Sequence, residues 1–388
     1  MKNTTAMIYF FSIVLIVYFG VNFYIFKHTS IVFKTENSVG IILKALFFVV
    51  ALSYPLGRIF ERVYPSLLPD MLTKIGSFWL GAMLYLTLFF LLLDIIHLGF
   101  SLFGQASIIS AKSSPDLIKK ITIAIYSVTA LILIGGYINA LNPRISKVTI
   151  NTQKSIGKNF SIKIAAASDI HLGTIISNGR LKRFVKMMNE QNPDIILLAG
   201  DVFDEDLGPV IQNDMGKLLS KLTAPLGVYA ITGNHEYIGG VEPAIKYLEV
   251  HNVTVLRDSA ITNENINVVG RDDRQSKMMG GVTRKKLEDL VFEIDKSRFT
   301  VLLDHQPYNL NDAVKNGIDL QISGHTHHGQ MFPFNFITKA IFEVSRGYKQ
   351  IENTHFYVST GFGTWGPPIR VGNRPEIVVF DIVKVGGE

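Results

Sequence analysis

Five short segments in the second half of the chain gather side chains that bind divalent cations. They are Asp169-Ile-His171, Gly200-Asp201-Val-Phe-Asp204, Gly233-Asn234-His235-Glu236, His305 within Leu-Asp-His-Gln-Pro, and Gly324-His325-Thr-His327. In an Asp-x-His or His-x-His pair at the exit of an extended segment, the two side chains point the same way and can hold one ion. Glycines beside them permit sharp turns and close backbone approach. The chain has no cysteine, so disulfides and thiolate metal sites are excluded and any metal rests on His, Asp, Glu or Asn. The chemistry open to such a set is phosphoryl hydrolysis. A bridging carboxylate can hold two divalent ions about 3.5–4 Å apart, where they polarise phosphoryl oxygens and lower the pKa of a shared water for in-line attack.

Strands and helices must bring these segments together. Ser161–Ala167, Asp194–Ala199, Val228–Thr232, Phe299–Leu303 and Leu320–Ser323 are β-branched or apolar runs that read as strands. Arg180–Asn189 and Val241–Val250 read as helices. Alternation of this kind means an α/β domain whose sheets are buried on both faces. Each ligand segment lies just beyond an expected strand, where side chains from neighbouring strands converge in open α/β sheets.

The order and spacing of the five segments resemble the signature of the calcineurin-like metallophosphoesterase superfamily: D-x-H, GD-x-x-D, GNH-D/E, a lone H and GH-x-H. The tail from Gly361 through Trp365, Pro367, Arg370 and Arg374 to Ile377 is similar to the bacterial, often membrane-associated branch. The resemblance implies a four-layer α/β/β/α sandwich of two mixed sheets and a metal-dependent phosphoesterase. Carried over position by position, it assigns Asp169, His171 and His327 to a first metal. Asp201 then bridges, and Asn234, His305 and His325 complete a second site. It also implies that His235 faces the leaving group as general acid and that Asp204 orients it. A mixed oxygen and nitrogen set favours Mn²⁺, Fe or Zn²⁺ over Mg²⁺, and Mn²⁺ is the expectation adopted. Arg370 and Arg374 could clamp a substrate phosphate, or serve as charges on a turn between strands. His328 departs from the glycine that commonly follows GH-x-H, and Ala199 stands where Ser or Thr is common.

The 388 residues are about twice the length of one domain, and 48% of them are hydrophobic, concentrated before Leu141. Four apolar stretches, near Ala6–Phe26, Val39–Phe60, Ile75–Phe103 and Ile121–Leu141, each approach or exceed the ~18 residues needed to cross a bilayer. The first is too long for a signal-peptide core and lacks a small-x-small cleavage site, so it reads as a retained span. Tyr18, Phe23, Tyr24, Trp79 and Tyr137 crowd the span ends, as interfacial rings do. The organisation expected is a membrane domain over 1–143, a linker over 144–159 and the phosphoesterase domain over 160–388, in an integral protein of the cell membrane. An even span count puts both termini on one face. Lys2, Arg58, Arg62, Lys74, Arg144, Lys147, Lys154 and Lys158 flank that face, against Lys27, Lys34, Lys112, Lys119 and Lys120 on the other. The bias favours a cytoplasmic enzyme.

Asp94 and His97 share a helix face within the third span, and read either as a functional pair at membrane depth or as groups reaching the headgroups. His28, His251 and His355 read as structural or solvated, and Arg284-Lys285-Lys286 as an exposed helix start. The net charge of +6 suits lipid headgroups or phosphorylated substrates. No basic run with interleaved aromatics appears, so no nucleic-acid partner is expected. The substrate reading is a phosphorylated small molecule or a lipid-linked phosphate. A nucleotide phosphodiesterase and a non-catalytic scaffold of the same fold are the alternatives, and the intact ligand set weighs against the scaffold.

Overall fold

The structure is a computed structural model that describes residues 2–33, 38–63, 66–103, 115–157, 160–263 and 265–386. Lys34, Lys112 and Lys158, counted above among the flanking charges, lie outside the described residues, and Lys2 and Arg62 are described by backbone alone. The chain divides into two compact units, Met1–Gly135 and Gly136–Glu388.

The first unit is built on α1 (Lys2–Phe33), α2 (Ser38–Val63), α3 (Leu67–Leu102) and most of α4 (Pro115–Ala140). All four are long and apolar enough to cross a membrane. Ile25, Phe47, Trp79, Leu86 and Phe90 interlock at their centre, and most other apolar side chains face outward, as a lipid solvent allows. Several charged and polar groups here find partners. Glu61 takes Arg58 at 3.2 Å, and Asn22 accepts from the Trp79 indole at 2.9 Å. Asp94 does not pair with His97. It accepts from the Tyr24 hydroxyl at 2.6 Å and lies 3.2 Å from Nε2 of His28, both on α1. The i,i+3 relation on one helix gave no hint of these partners about seventy residues away.

Among its described residues the second unit holds twelve strands: β1 (Arg144–Thr152), β2 (Ser161–Ala167), β3 (Ile195–Ala199), β4 (Val228–Ile231), β5 (Thr254–Val255), β6 (Ser259–Thr262), β7 (Ile266–Gly270), β8 (Phe299–Leu303), β9 (Leu320–Ser323), β10 (Gly347–Ile351), β11 (Thr354–Val358) and β12 (Glu376–Lys384). They form two six-stranded mixed sheets, ordered β1-β12-β2-β3-β4-β5 and β10-β11-β9-β8-β7-β6. The stretch read as a linker carries β1, which runs parallel to β12 from Arg144↔Glu376 to Thr152↔Lys384. Its physical reason is visible afterwards: Ile150 is buried between the sheets while Arg144, Ile145 and Lys147 stay at the surface, the half-polar pattern of an edge strand.

Side-chain alternation sorts the core into layers. Along β3, Ile195, Leu197 and Ala199 point between the two sheets, where they meet Val301, Leu303 and Ile322. Ile196 and Leu198 point outward onto Leu181, Phe184 and Met188, which lie on or just beyond one face of α5 (Asn178–Asn189). Across the second sheet, Val269, Leu302 and Phe356 pack against Leu290, Leu310 and Ala313. The result is the four-layer α/β/β/α arrangement. Both faces of the central strands are covered, which is why they read as unbroken apolar runs. Truncating Leu197 to alanine in that dry layer costs about 2–5 kcal/mol.

Candidate active site

Three ligand segments leave the C-terminal ends of adjacent parallel strands of the first sheet. Asp169 and His171 follow β2, Asp201 follows β3, and Asn234 follows β4 to open a short helix, α6 (Asn234–Gly239). The other two leave neighbouring strands of the second sheet, with His305 after β8 and His325 and His327 after β9. Sharp exits are needed to turn these side chains toward one point. Asp169, His171, Asp201, His325, His327 and His328 all adopt positive φ between 44° and 69°. Non-glycine residues rarely stay there unless the surrounding structure holds them, and such strain collects at functional sites.

Backbone donors of one segment hold the carboxylate of another. The His325 N–H donates to both oxygens of Asp169, at 2.9 and 3.1 Å. The His235 N–H donates to Oδ1 of Asp201 at 2.9 Å. Two glycines permit this crowding. A Cβ on Gly233 would lie 2.1 Å from Oδ1 of Asp201, and one on Gly324 would lie 2.2 Å from Oδ2 of Asp169.

Three groups of ligand atoms result, with all atoms of each group within 4.8 Å of one another. They are Asp169, His171 and His327; Asp201, His305 and His325; and His171, Asp204 and His235. Asp201 lies between the first two, with Oδ2 at 3.1 Å from Nε2 of His305 and 4.0 Å from Nε2 of His171. Asn234 joins the second, its Oδ1 2.8 Å from Nδ1 of His325. Nε2 of His171 and Nε2 of His327 face each other at 3.0 Å. Nδ1 of His305 is fixed on the Ala199 carbonyl at 2.8 Å, leaving its Nε2 buried with no hydrogen-bond partner.

Charge and burial suit this set to divalent cations. Burial, then the neighbouring His235, pushes His171 down to about 3, and burial, then His305, pushes His325 down to about 4. Burial and then Arg370 hold His327 well below its usual range. All three are neutral imidazoles with lone pairs to give. Burial works against an ionised Asp201, yet His305, His235 and His171 hold its carboxyl well below the ordinary range. Burial works against a charged His305, but Asp201 and then Asp169 hold it well above the usual range, so a metal ion there would displace its proton. An inward-facing anion beside the neutral nitrogens of His171, His325 and His327 suits a first-row divalent ion.

His235 meets the His171 ring edge-on, with centroids 4.5 Å apart, and its Nδ1 lies 3.4 Å from Oδ1 of Asp204. Burial disfavours its protonated form, but Asp201 and then Asp204 outweigh that and raise it to about 9. The side of the site toward solvent is formed by the half-buried Asn234, His325 and Asp204, with the Trp365 ring 6.2 Å from that of His235.

The hydrogen bonds of the two tail arginines go to protein groups. Arg370 is fully buried and donates to the carbonyls of Thr360, Gly361 and Gly363 and to Oδ1 of Asn373, with a terminal nitrogen 3.1 Å from Nδ1 of His327. Its fork is spent on the loop beside that histidine. Arg374 is exposed and gives Nε and a terminal nitrogen to the Asn142 carbonyl. His328 is a buried structural group, Nδ1 at 3.0 Å from the Ser345 hydroxyl. Within Arg284-Lys285-Lys286, both lysines are exposed, but Arg284 is largely covered and pairs with Asp304 at 2.9 Å.

Sequence reasoning passed over Glu236. Buried, it accepts from the Asp201 and Gly233 N–H groups through Oε2, at 3.1 and 2.7 Å, and from the Phe203 N–H through Oε1 at 2.9 Å. It thereby ties the Asp201 loop to the start of α6. Its place as third residue of a helix, the capping-box position, was a readable signal.

Comparison with known proteins agrees with this geometry. The family model described as calcineurin-like phosphoesterase matches residues 162–329. An uncharacterized metallophosphoesterase of Aquifex aeolicus is 33% identical over 260 residues, covering 66% of this chain and 98% of that protein. An uncharacterized metallophosphoesterase of Campylobacter jejuni is 28% identical over 389 residues, 96% of this chain and 98% of that one, so its similarity extends through the apolar helices. A Danio rerio protein named transmembrane protein with metallophosphoesterase domain is 30% identical over 66% of this chain and 61% of its own length.

Proposed function

The chain belongs to the calcineurin-like metallophosphoesterases and is a metal-dependent phosphoesterase that carries helices long and apolar enough to cross a membrane, and from that premise we propose a two-metal hydrolase working at a bilayer surface. Asp169, His171 and His327 would hold one divalent ion. Asn234, His305 and His325 would hold the other, with Asp201 placed between the two groups. The observation that carries this reading is the position of Asp201, whose Oδ2 lies within 4.0 Å of a ring nitrogen from each group. Bound divalent ions supply Lewis acidity to phosphoryl oxygens and acidify water. Mn²⁺ fits the mixed donors, with Fe and Zn²⁺ as the other candidates.

The chain's own residues handle the proton. Asp204 beside Nδ1 of His235 favours the tautomer protonated there, so Nε2 is the nitrogen free for transfer at the leaving oxygen. An imidazole raised by two carboxylates carries the proton that a departing alkoxide or phosphate needs. A lipid-linked phosphoester or pyrophosphate is the substrate class we favour, on the strength of the apolar helices and the half-exposed Trp365 beside His235. The flanking lysines and arginines favour a catalytic unit on the cytoplasmic face.

The test uses full-length protein in detergent, stripped of metal and supplied with Mn²⁺, on chromogenic phosphodiesters and phosphomonoesters. Metal-dependent turnover should fall by about 10²–10⁴ in His235→Ala and vanish in Asp201→Asn. Wild-type rates in both variants would remove the assignment. Equal rates on lipid-linked and soluble esters would remove the lipid preference alone.

A further inference from the structure

The segment leaving the last ligand histidine is built against the logic of a soluble surface. The helix α8 (Phe334–Ile341) follows α7 (Val241–Glu249) in the chain and reads Phe-Asn-Phe-Ile-Thr-Lys-Ala-Ile, yet none of its residues is buried. Phe336 is 59% exposed, Ile337 54% and Ile341 55%, with Phe332 half-exposed just before the helix. Phe334, Ile337 and Ile341 lie at i, i+3 and i+7, a single stripe. A cluster of this size on a catalytic unit marks an interaction surface rather than scattered exposure.

Hydrogen bonds within the second unit fix where this surface lies. The Phe332 N–H donates to the Val371 carbonyl at 2.9 Å, and the Val371 N–H to the Gln330 carbonyl at 3.0 Å. Gln330 also brackets the Trp365 loop, donating to the carbonyls of Trp365 and Pro367 and accepting from the Trp365 N–H. One residue before Val371, the Arg370 N–H donates to the Gly136 carbonyl at 2.9 Å. The Asn139 amide donates to the carbonyls of Arg370 and Asn373 at 2.9 and 2.6 Å. Gly136–Ala140 is the last turn of α4, an apolar helix long enough to span a bilayer. The exposed aromatic helix and Trp365 are therefore bonded, through one loop, to the point where that span ends.

We propose that α8 and Trp365 form a membrane-docking surface that inserts into the interfacial layer of the same bilayer and sets the mouth of the metal site at headgroup level. The partner is an anionic phospholipid surface. Short amphipathic elements with aromatic and branched residues on one side and cations beside them lie in that layer, and Trp is at home there. Lys339 and Arg346 are both exposed, and Lys349 neutralises the one nearby carboxylate of the segment, Glu343, at 2.9 Å. Continuity with the end of a spanning helix supplies the bilayer directly. The inference does not require that the substrate be a lipid, but it explains how a lipid phosphoester would reach His235 without leaving the membrane.

The absence of cysteine makes the test clean. Single-cysteine variants Phe336→Cys and Ile337→Cys of the full-length protein are labelled with an environment-sensitive fluorophore. They are then reconstituted in vesicles of phosphatidylethanolamine and phosphatidylglycerol. Phe292→Cys, at a site 82% exposed in the same unit, is the control. The proposal expects blue-shifted emission at 336 and 337. It also expects quenching by lipids bearing a nitroxide near the top of the acyl chain, at the depth of about 5–10 Å typical of interfacial helices, with neither effect at 292. Emission and quenching at 336 and 337 indistinguishable from those at 292 would overturn it. The readout needs no turnover, so it stands or falls separately from the phosphoesterase assignment.

Discussion

Replacing Glu236 by alanine removes the acceptor for three buried N–H groups, those of Asp201, Phe203 and Gly233. Each unsatisfied buried donor costs about 1–3 kcal/mol. Burial first, and Asp201 second, push the Glu236 carboxyl up to about 7, so desolvation already offsets part of what these bonds contribute. A net loss of about 3 kcal/mol is the central expectation, which lowers the unfolding temperature of a unit this size by about 6–12 °C. Glutamine can keep its oxygen where Oε2 is, preserving the bonds from Asp201 and Gly233 and losing only that from Phe203. Glu236→Gln should therefore fall between wild type and Glu236→Ala. Both changes loosen the loop that aims Asp201, and supporting contacts of metal ligands are worth about 10–100-fold in affinity. Thermal unfolding in detergent and titration of metal into stripped protein read the two effects together. An alanine variant that unfolds within about 2 °C of wild type and binds metal as tightly would refute the reasoning.

Arg370→Lys should reduce folded yield and metal content together, because one ammonium cannot reproduce four donations to three carbonyls and Asn373 made beside His327. A raised KM with unchanged unfolding temperature would instead restore the substrate-clamp reading. Gly233→Ala forces a methyl to 2.1 Å from Oδ1 of Asp201, and elemental analysis of the purified variant should find the metal largely lost while circular dichroism stays native. Chelation of the wild-type protein should abolish turnover and lower the unfolding temperature. Adding metal at about 100 times its Kd should return about 2.7 kcal/mol of stability per site, whereas an unfolding temperature indifferent to metal would contradict the ligand assignment.

Much of this architecture is legible in the chain because local rules and tertiary structure agree there. Ile195–Ala199 and Phe299–Leu303 are covered on both faces, so their apolar runs announce buried strands without help from context. The ligand segments are equally legible, since a strand exit needs its glycines and its chelating pairs within a few residues of each other. What escaped depends on distant partners. The strand β1 has exposed charge at Arg144 and Lys147 and reads as a linker, because only its pairing with β12, more than two hundred residues away, makes it a strand. For Arg370 the sequence leaves a phosphate clamp and a turn charge both open, because a lone arginine amid glycines and prolines says nothing about whether it points out or in. Its carbonyl partners come from a loop folded back upon it. Asp94 and His97 share a helix face in the sequence, which says nothing of the partners Tyr24 and His28 that Asp94 finds on another helix.

The central claim is that Asp201 joins two divalent ions into one centre, and electron paramagnetic resonance of the Mn²⁺-loaded full-length protein addresses it most directly. Two ions about 3.5–4 Å apart predict an exchange-coupled signal at a stoichiometry of two per chain, replaced in Asp201→Asn by the signal of isolated Mn²⁺ or by none. A single uncoupled ion in the wild-type protein, unchanged by that substitution, would contradict the account.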